Sequence, residues 1–280
     1  MEEKQLLAAL IDAGLRPAPF PPGALPLALT PGGQALPHLL IDRGQNRVAA
    51  AAILTACRAI GTITLDAGLA ARGDRLAVAA ALAAAGLPRP ETRLTCSATA
   101  ALDTLGRFGY PATVLPVTAG GEPIAILDLD TAEAVLEHRE VLGTSHEALS
   151  LIQAGAPATR WPVIVVGGVA VATMSGATGE PLPALARELA EAATVTLGAA
   201  IVAIEIARVD AGLVVWDAAA VPEFRQATAI GSHSVATAVA ELAQARLTAE
   251  QTRPASEHEL IPLTTTHRRE AVTHGVVLTA

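Results

Sequence analysis

Residues 201–224 read IVAIEIARVDAGLVVWDAAAVPEF. Two apolar runs, 200–209 and 213–218, are rich in β-branched residues and flank a turn at Gly212, which predicts two neighbouring strands. Each run carries one acid, Glu205 in the first and Asp217 near the end of the second. Three alanines, Ala218 to Ala220, and a Pro-Glu-Phe turn follow. A lone carboxylate at the end of a buried strand, set among alanines, is either what remains of a polar site or a plain strand-end acid, solvated or bound by arginine.

Moving outward, WPVIVVGGVAVATMSGATG (161–179) contains no charge. Its central Gly167-Gly168 predicts a hairpin of strands 163–166 and 169–173 rather than a membrane span. Helical patterns cover 183–197 and 232–250, the latter capped by Ser232 or Ser234. On the N-terminal side, helices are expected at 73–86 with Asp74 near the start, at 97–107 capped by Ser97, and at 131–142 capped by Thr131. Strands are expected at 110–117 and 123–129, with TAGGE between them. Residues 1–15 and 46–60 read as helices, and 35–42 and TITLD as strands. That alternation suggests a small parallel α/β unit over about 1–70. The stretch 16–33 is a Pro/Gly-rich loop with short extended pieces. The tail 251–280 ends in an apolar GVVLTA that could add one strand. His267 and His274 within it read as part of a solvated tail, not a metal site.

Composition narrows the function classes. The chain has 280 residues, 51% hydrophobic but 2% aromatic, with a formal charge of −8. An acidic chain with few rings is a poor match to nucleic acid, and it lacks the basic amphipathic face of a membrane-surface binder. Cys57 and Cys96 lie far apart, which reads as reduced thiols in a cytoplasmic protein. The acidic start MEEKQLLAAL does not fit an export signal. Lys4 is the only lysine in the chain.

Several phrases, in their order and spacing, resemble the ATP-grasp ligases of the RimK/LysX type, which join an amine to a carboxylate. AAALAAAGLPRPETRL (79–94) is similar to the family's helix followed by Gly-Leu/Val-Pro-x-Pro. LGRFGYPATVLPV (105–117) resembles its Gly-Tyr-Pro strand, and AEAVLEHREVLG (132–143) the wording of the LysX subgroup. VIVVGGVAVAT (163–173) resembles a hairpin in the second half of the grasp, and 201–224 the strand pair that carries the metal ligands. The likeness runs from about residue 1 to 247. It implies an α/β ATP-grasp fold with an N-terminal Rossmann-like pre-ATP-grasp unit over 1–70. An ATP-grasp domain would follow over 71–250, with a small lid at about 93–160 and a C-terminal part at about 161–250, before the tail. It also implies ATP and magnesium as cofactors. Their phosphates and charge would be held by lysines, a glycine-rich loop and metal-binding acids.

Position by position the match is incomplete. Arg75 stands where the family has its first nucleotide lysine, and Leu115, before Pro116, where it has the second. The covering loop, Gly-Ser-x-Gly-Arg in the subgroup, is here Ala119, Gly120, Gly121, Glu122, Pro123. Of the family's metal-binding Asp, Glu and Asn, the matching residues are Glu205, Asp217 and Ala219. Three missing charge-assisted contacts at about 1.5–3 kcal/mol each remove roughly 4–9 kcal/mol. That is about three to six orders of magnitude in phosphate binding and rate.

The resemblance and its departures together predict a non-catalytic homologue that needs no cofactor and acts by binding. It would serve as a homo-oligomer, as the partner of an active ligase in lysine- or arginine-type biosynthesis, or as the holder of a small ligand. The candidate residues are an anion-binding remnant at Arg75, Gly120 and Gly121 and a metal remnant at Glu205 and Asp217. Arg160 and Arg225 are candidates to neutralise those acids from within. The alternatives are an active ligase with an altered nucleotide site, and a structural module whose cleft is filled by Leu115, Trp216 and Val221.

Overall fold

The computed structural model of the chain describes residues 2–20, 37–68, 74–117, 122–142, 149–174, 179–252 and 275–279. Its elements in order are α1 (Glu2–Asp12), β1 (Arg16–Phe20), β2 (Leu39–Ile41), α2 (Arg47–Ala59), β3 (Ile63–Leu65), α3 (Arg75–Ala84), β4 (Thr92–Thr95), α4 (Ala98–Phe108), β5 (Ala112–Pro116) and β6 (Ile124–Ile126). There follow α5 (Leu129–Leu142), β7 (Ser150–Ala154), β8 (Arg160–Val166), β9 (Val169–Thr173), α6 (Ala184–Leu197), β10 (Ile201–Val209), β11 (Gly212–Ala219), β12 (Thr228–Ala229), α7 (Val235–Thr252) and β13 (Gly275–Thr279).

These strands form three sheets. The first is parallel, in the order β1-β13-β2-β3. Leu39, Leu40 and Ile41 of β2 are all fully buried, the continuous apolar run that a parallel strand covered on both faces requires. β13 comes from the C-terminal part of the sequence and sits between two N-terminal strands, so Gly275–Thr279 of the apolar tail forms a central strand.

The second sheet is antiparallel, in the order β11-β10-β8-β9-β12. β8 and β9 form the expected hairpin. Gly167 and Gly168 turn it with φ of 60° and 85°, the left-handed backbone that a tight two-residue turn requires. Apolar residues of α6 cover one face with Val163, Val165, Val202, Ile204 and Ile206. On the other face Ile164, Val166 and Ile201 pack with α7, α1 and the first sheet in one core. Sheets one and two are thereby joined by a shared hydrophobic interior. The segment after β3 runs close against the end of α6: at Gly68 an added Cβ would stand 2.1 Å from the Leu197 carbonyl oxygen.

The third sheet is antiparallel, β4-β7-β5-β6, and packs on α4 and α5 through Leu105, Val114, Ile126, Leu136 and Ile152. Two hydrogen bonds link this part of the chain to the second sheet: the Val215 amide donates to the carbonyl of Pro88, in the connection before β4, at 2.9 Å, and the Gln153 side-chain Nε2, on β7, donates to the Trp216 carbonyl at 3.4 Å.

Helix starts follow local chemistry. Asn46, Asp74 and Ser97 accept from the backbone amides of Ala49, of Leu76 and Ala77, and of Ala100, respectively. α5 starts earlier than expected. Its cap is Asp128, whose carboxylate accepts from the Thr131 amide at 2.8 Å, so Thr131 lies within the helix. For α7 the cap is Ser234, which accepts from the Thr237 amide at 3.1 Å. β7 was not anticipated. No described helix is long and apolar enough to cross a membrane.

Candidate functional site

Glu205 and Asp217 are direct partners across the β10–β11 ladder. Residues directly opposite in an antiparallel pair point to the same face, so the two carboxylates lie side by side, an arrangement that repels unless countercharge is supplied. A β-bulge adjoins them: Ile206 pairs with Val215, leaving Trp216 as the extra residue. Trp216 is buried with Ala207 and Val214 in a small cluster of its own.

Two arginines supply the countercharge. Arg160 begins β8, opposite Ala207 and diagonal to Glu205, and its Nη1 is 3.3 Å from Glu205 Oε1. Arg75 is the first residue of α3. Its Nε donates to Asp217 Oδ2 at 3.1 Å and its Nη1 to the Pro116 carbonyl at 3.4 Å, while its amide donates to Val117 at 2.7 Å. Arg75 therefore ties the end of β5, in the third sheet, to β11 in the second. The Arg75–Asp217 pair is well covered, with side-chain exposures of 12% and 15%, whereas Arg160 is 42% exposed. Burial pushes the Glu205 carboxyl above its ordinary value. The charge of Asp217 adds to the rise, and Arg160 and Arg75 oppose it.

The pairs line a cavity of about 430 Å³ that also touches Gln45, Arg47, Glu122 and the alanines 218 to 220. A neighbouring lobe of about 310 Å³ shares Glu205, Asp217, Ala219 and Val221 and is walled by Pro162, Met174 and Ala203. The cleft is thus open and charged, not packed shut. Leu115 is buried in β5 and Trp216 in its own cluster, and Val221 lines the space without closing it. Behind the cavity, Arg47 makes a two-pronged pair with Asp42, at 3.2 and 2.7 Å.

Of the residues singled out in the sequence, Glu205, Asp217, Arg75 and Arg160 come together. Arg225 does not join them; its amide and that of Phe224 donate to Glu2 Oε1, on the far side of the 222–224 turn. Gly120 and Gly121 lie outside the described residues, as do residues 21–36, His267 and His274. Arg47 was missed. Its nearness to the acids depends on the first sheet docking on the second, which no local pattern announces.

As held here, each of the two acids already faces a guanidinium, and alanine follows two residues after Asp217. The position before Pro116 is the buried, apolar Leu115, which offers nothing to a phosphate.

No family model matches the chain. Among solved structures, it is similar to a RimK-domain ATP-grasp protein from Sphaerobacter thermophilus, at 26% identity and a TM-score of 0.73 over 86% of this chain and 95% of that one. It is also similar to the ATP-grasp ligase PsnB complexed with a minimal precursor, at 16% identity and a TM-score of 0.65 over 88% and 95%. A third is D-alanine–D-alanine ligase from Bacillus anthracis, at 13% identity and a TM-score of 0.54 over 70% and 75%. The last two share the fold alone.

Proposed function

We propose that this chain, which has the ATP-grasp fold of ATP-dependent ligases, is a non-catalytic homologue that acts by binding. The observation that carries this reading is the double pairing of Asp217 with Arg75 and Glu205 with Arg160. In it, the acids expected to hold metal and the arginine expected to hold phosphate neutralise one another. Charge that binds within the protein has to be freed, at the cost of leaving a partner unpaired, before it can bind a nucleotide. The resemblance to RimK/LysX ligases connects the chain to amino-acid biosynthesis of the lysine or arginine type. There it would work as a homo-oligomer, beside an active ligase, or as the holder of a small ligand.

The open cavity favours one second reading, an active carboxylate–amine ligase with altered nucleotide handling. Calorimetric titration with ATP and magnesium separates the two. The first predicts no micromolar binding and no amine-dependent release of phosphate. Tight binding with turnover would establish the second.

A further inference from the structure

We propose that a second cavity, between β3, the end of α6 and α7, binds a small phosphate monoester held by Arg58 and Arg246. It shares no lining residue with the cleft of Glu205 and Asp217, so the proposal goes beyond the role given to that cleft.

The cavity lies where the first sheet meets the second. β3 is an edge strand, and the space beside it measures about 620 Å³, larger than either lobe of the cleft. Gly68, the Gly167-Gly168 turn and Gly198 keep its walls low.

Its supply of unused donors is the first ground. Arg58, in the last turn of α2, is held along one edge: Nε donates to Thr64 Oγ1 at 2.8 Å and Nη2 to Asp66 Oδ2. Its Nη1 has no partner among the described residues. Arg246, exposed on α7, makes no side-chain hydrogen bond or ion pair among them. A guanidinium carries five N–H donors, so most of the donors around this cavity lack an acceptor within the protein.

The second ground is charge. Among the described residues the lining carries Arg58 and Arg246 against Asp66, an excess of one positive charge in a chain of −8. Asp66 is spent. Its side chain is 3% exposed, Oδ2 is taken by Arg58, and Oδ1 accepts from the Gly68 amide at 2.7 Å. The nearest acids on the contributing helices, Glu191 on α6 and Glu241 and Glu250 on α7, lie outside the lining. The carboxyl end of α6 opposes an anion with about half a charge. That is less than the arginine excess, and its Thr194 and Val195 carbonyls already accept from the Ala199 and Gly198 amides.

Donor geometry selects phosphate. A cation would meet two guanidinia. A carboxylate has two oxygens, enough to face one guanidinium edge, whereas the oxygens of a phosphate diverge and can engage the free edge of Arg58 and Arg246 together. The remaining volume takes the body of the ester.

The test is isothermal titration of the full chain with glycerol 3-phosphate, inorganic phosphate and acetate at matched ionic strength. Saturable binding of glycerol 3-phosphate is expected, with inorganic phosphate weaker and acetate weakest. Arg246→Ala should weaken it roughly ten- to a hundredfold, as loss of a charge-assisted contact does. Arg246 has no partner to strand, so this variant keeps the fold. Arg58→Lys leaves a cation for Asp66 but withdraws the free edge, and should weaken binding as well. Arg107→Ala, at an exposed arginine on α4, should leave it unchanged. No saturable binding of glycerol 3-phosphate, or the same affinity in Arg246→Ala as in the parent, would overturn the site. So would an equal loss in Arg107→Ala, which would mark a diffuse charge effect. Acetate binding as tightly as glycerol 3-phosphate would overturn the choice of phosphate, and inorganic phosphate binding more tightly would overturn the choice of an ester.

Discussion

Asp42 has no exposed side-chain surface, and its charge is carried by Arg47, itself only 7% exposed. Breaking such a pair leaves an uncompensated buried charge, so Arg47→Ala is expected to cost about 3–5 kcal/mol in urea unfolding. Glu205 behaves in the opposite sense. Its carboxyl is raised by burial, so across the window between its ordinary and its raised value the folded state holds more protons than the unfolded one. Stability from this group is therefore greatest below that window and is lost as the pH rises through it. Glu205→Gln, which removes the charge, should melt higher than the parent at about pH 7, with the gain fading towards about pH 4, where an ordinary glutamate protonates. Scanning calorimetry at the two pH values reads this directly, and an equal gain at both would count against burial as the cause. Cys57 is buried and its thiol is raised by burial, whereas Cys96 is exposed. A thiol reagent should accordingly label Cys96 in the folded protein and reach Cys57 only after unfolding.

At the scale of elements, α3 matters because its first residue is Arg75. Asp74 fixes that start by accepting from two amides, at 2.8 and 3.1 Å. Asp74→Ala should cost about 1 kcal/mol of stability, checked by thermal unfolding. Signals of this kind were legible in the sequence: the Gly167-Gly168 hairpin, the Ser97 cap and the strand pair carrying Glu205 and Asp217 all stand where local pattern placed them. β7 was not legible. SLIQA mixes polar and apolar residues, and what makes it a strand is pairing on both edges, with β4 and with β5. The start of α5 was misplaced because Asp128 and Thr131 are both good caps, and the choice falls to the one whose side chain reaches the free amide. The candidate site divides in the same way. Arg160 lies next to Glu205 through one step of the sheet and could be named in advance. Arg75 and Asp217 are separated by 142 positions, and their meeting depends on how the third sheet is set against the second.

For the whole molecule, the first and second sheets share one core through α1 and α7, and the chain's last strand completes the first sheet from within. Removing residues 275–280 withdraws a central strand and leaves β1 and β2 without their common neighbour. The loss should be a large fraction of the roughly 5–15 kcal/mol that keeps a domain folded, seen as a lowered and broadened melting transition. An unchanged transition would mean that the strand adds little. The cleft belongs to this scale as well. Arg75 reaches it from α3, Arg160 and Glu205 from β8 and β10, and Arg47 from the first sheet's helix, so its balance of charge is a property of the assembled fold. On the proposed reading, Glu205 and Asp217 are committed to guanidinium and not to a metal-bound nucleotide. Soaking crystals with ATP and manganese, and collecting anomalous diffraction at the manganese edge, tests it most directly. With both acids held by arginine, no manganese peak is expected between the two carboxylates and both arginine pairs stay intact. A manganese peak there with ordered phosphates beside it, and Arg75 and Arg160 swung away, would contradict it.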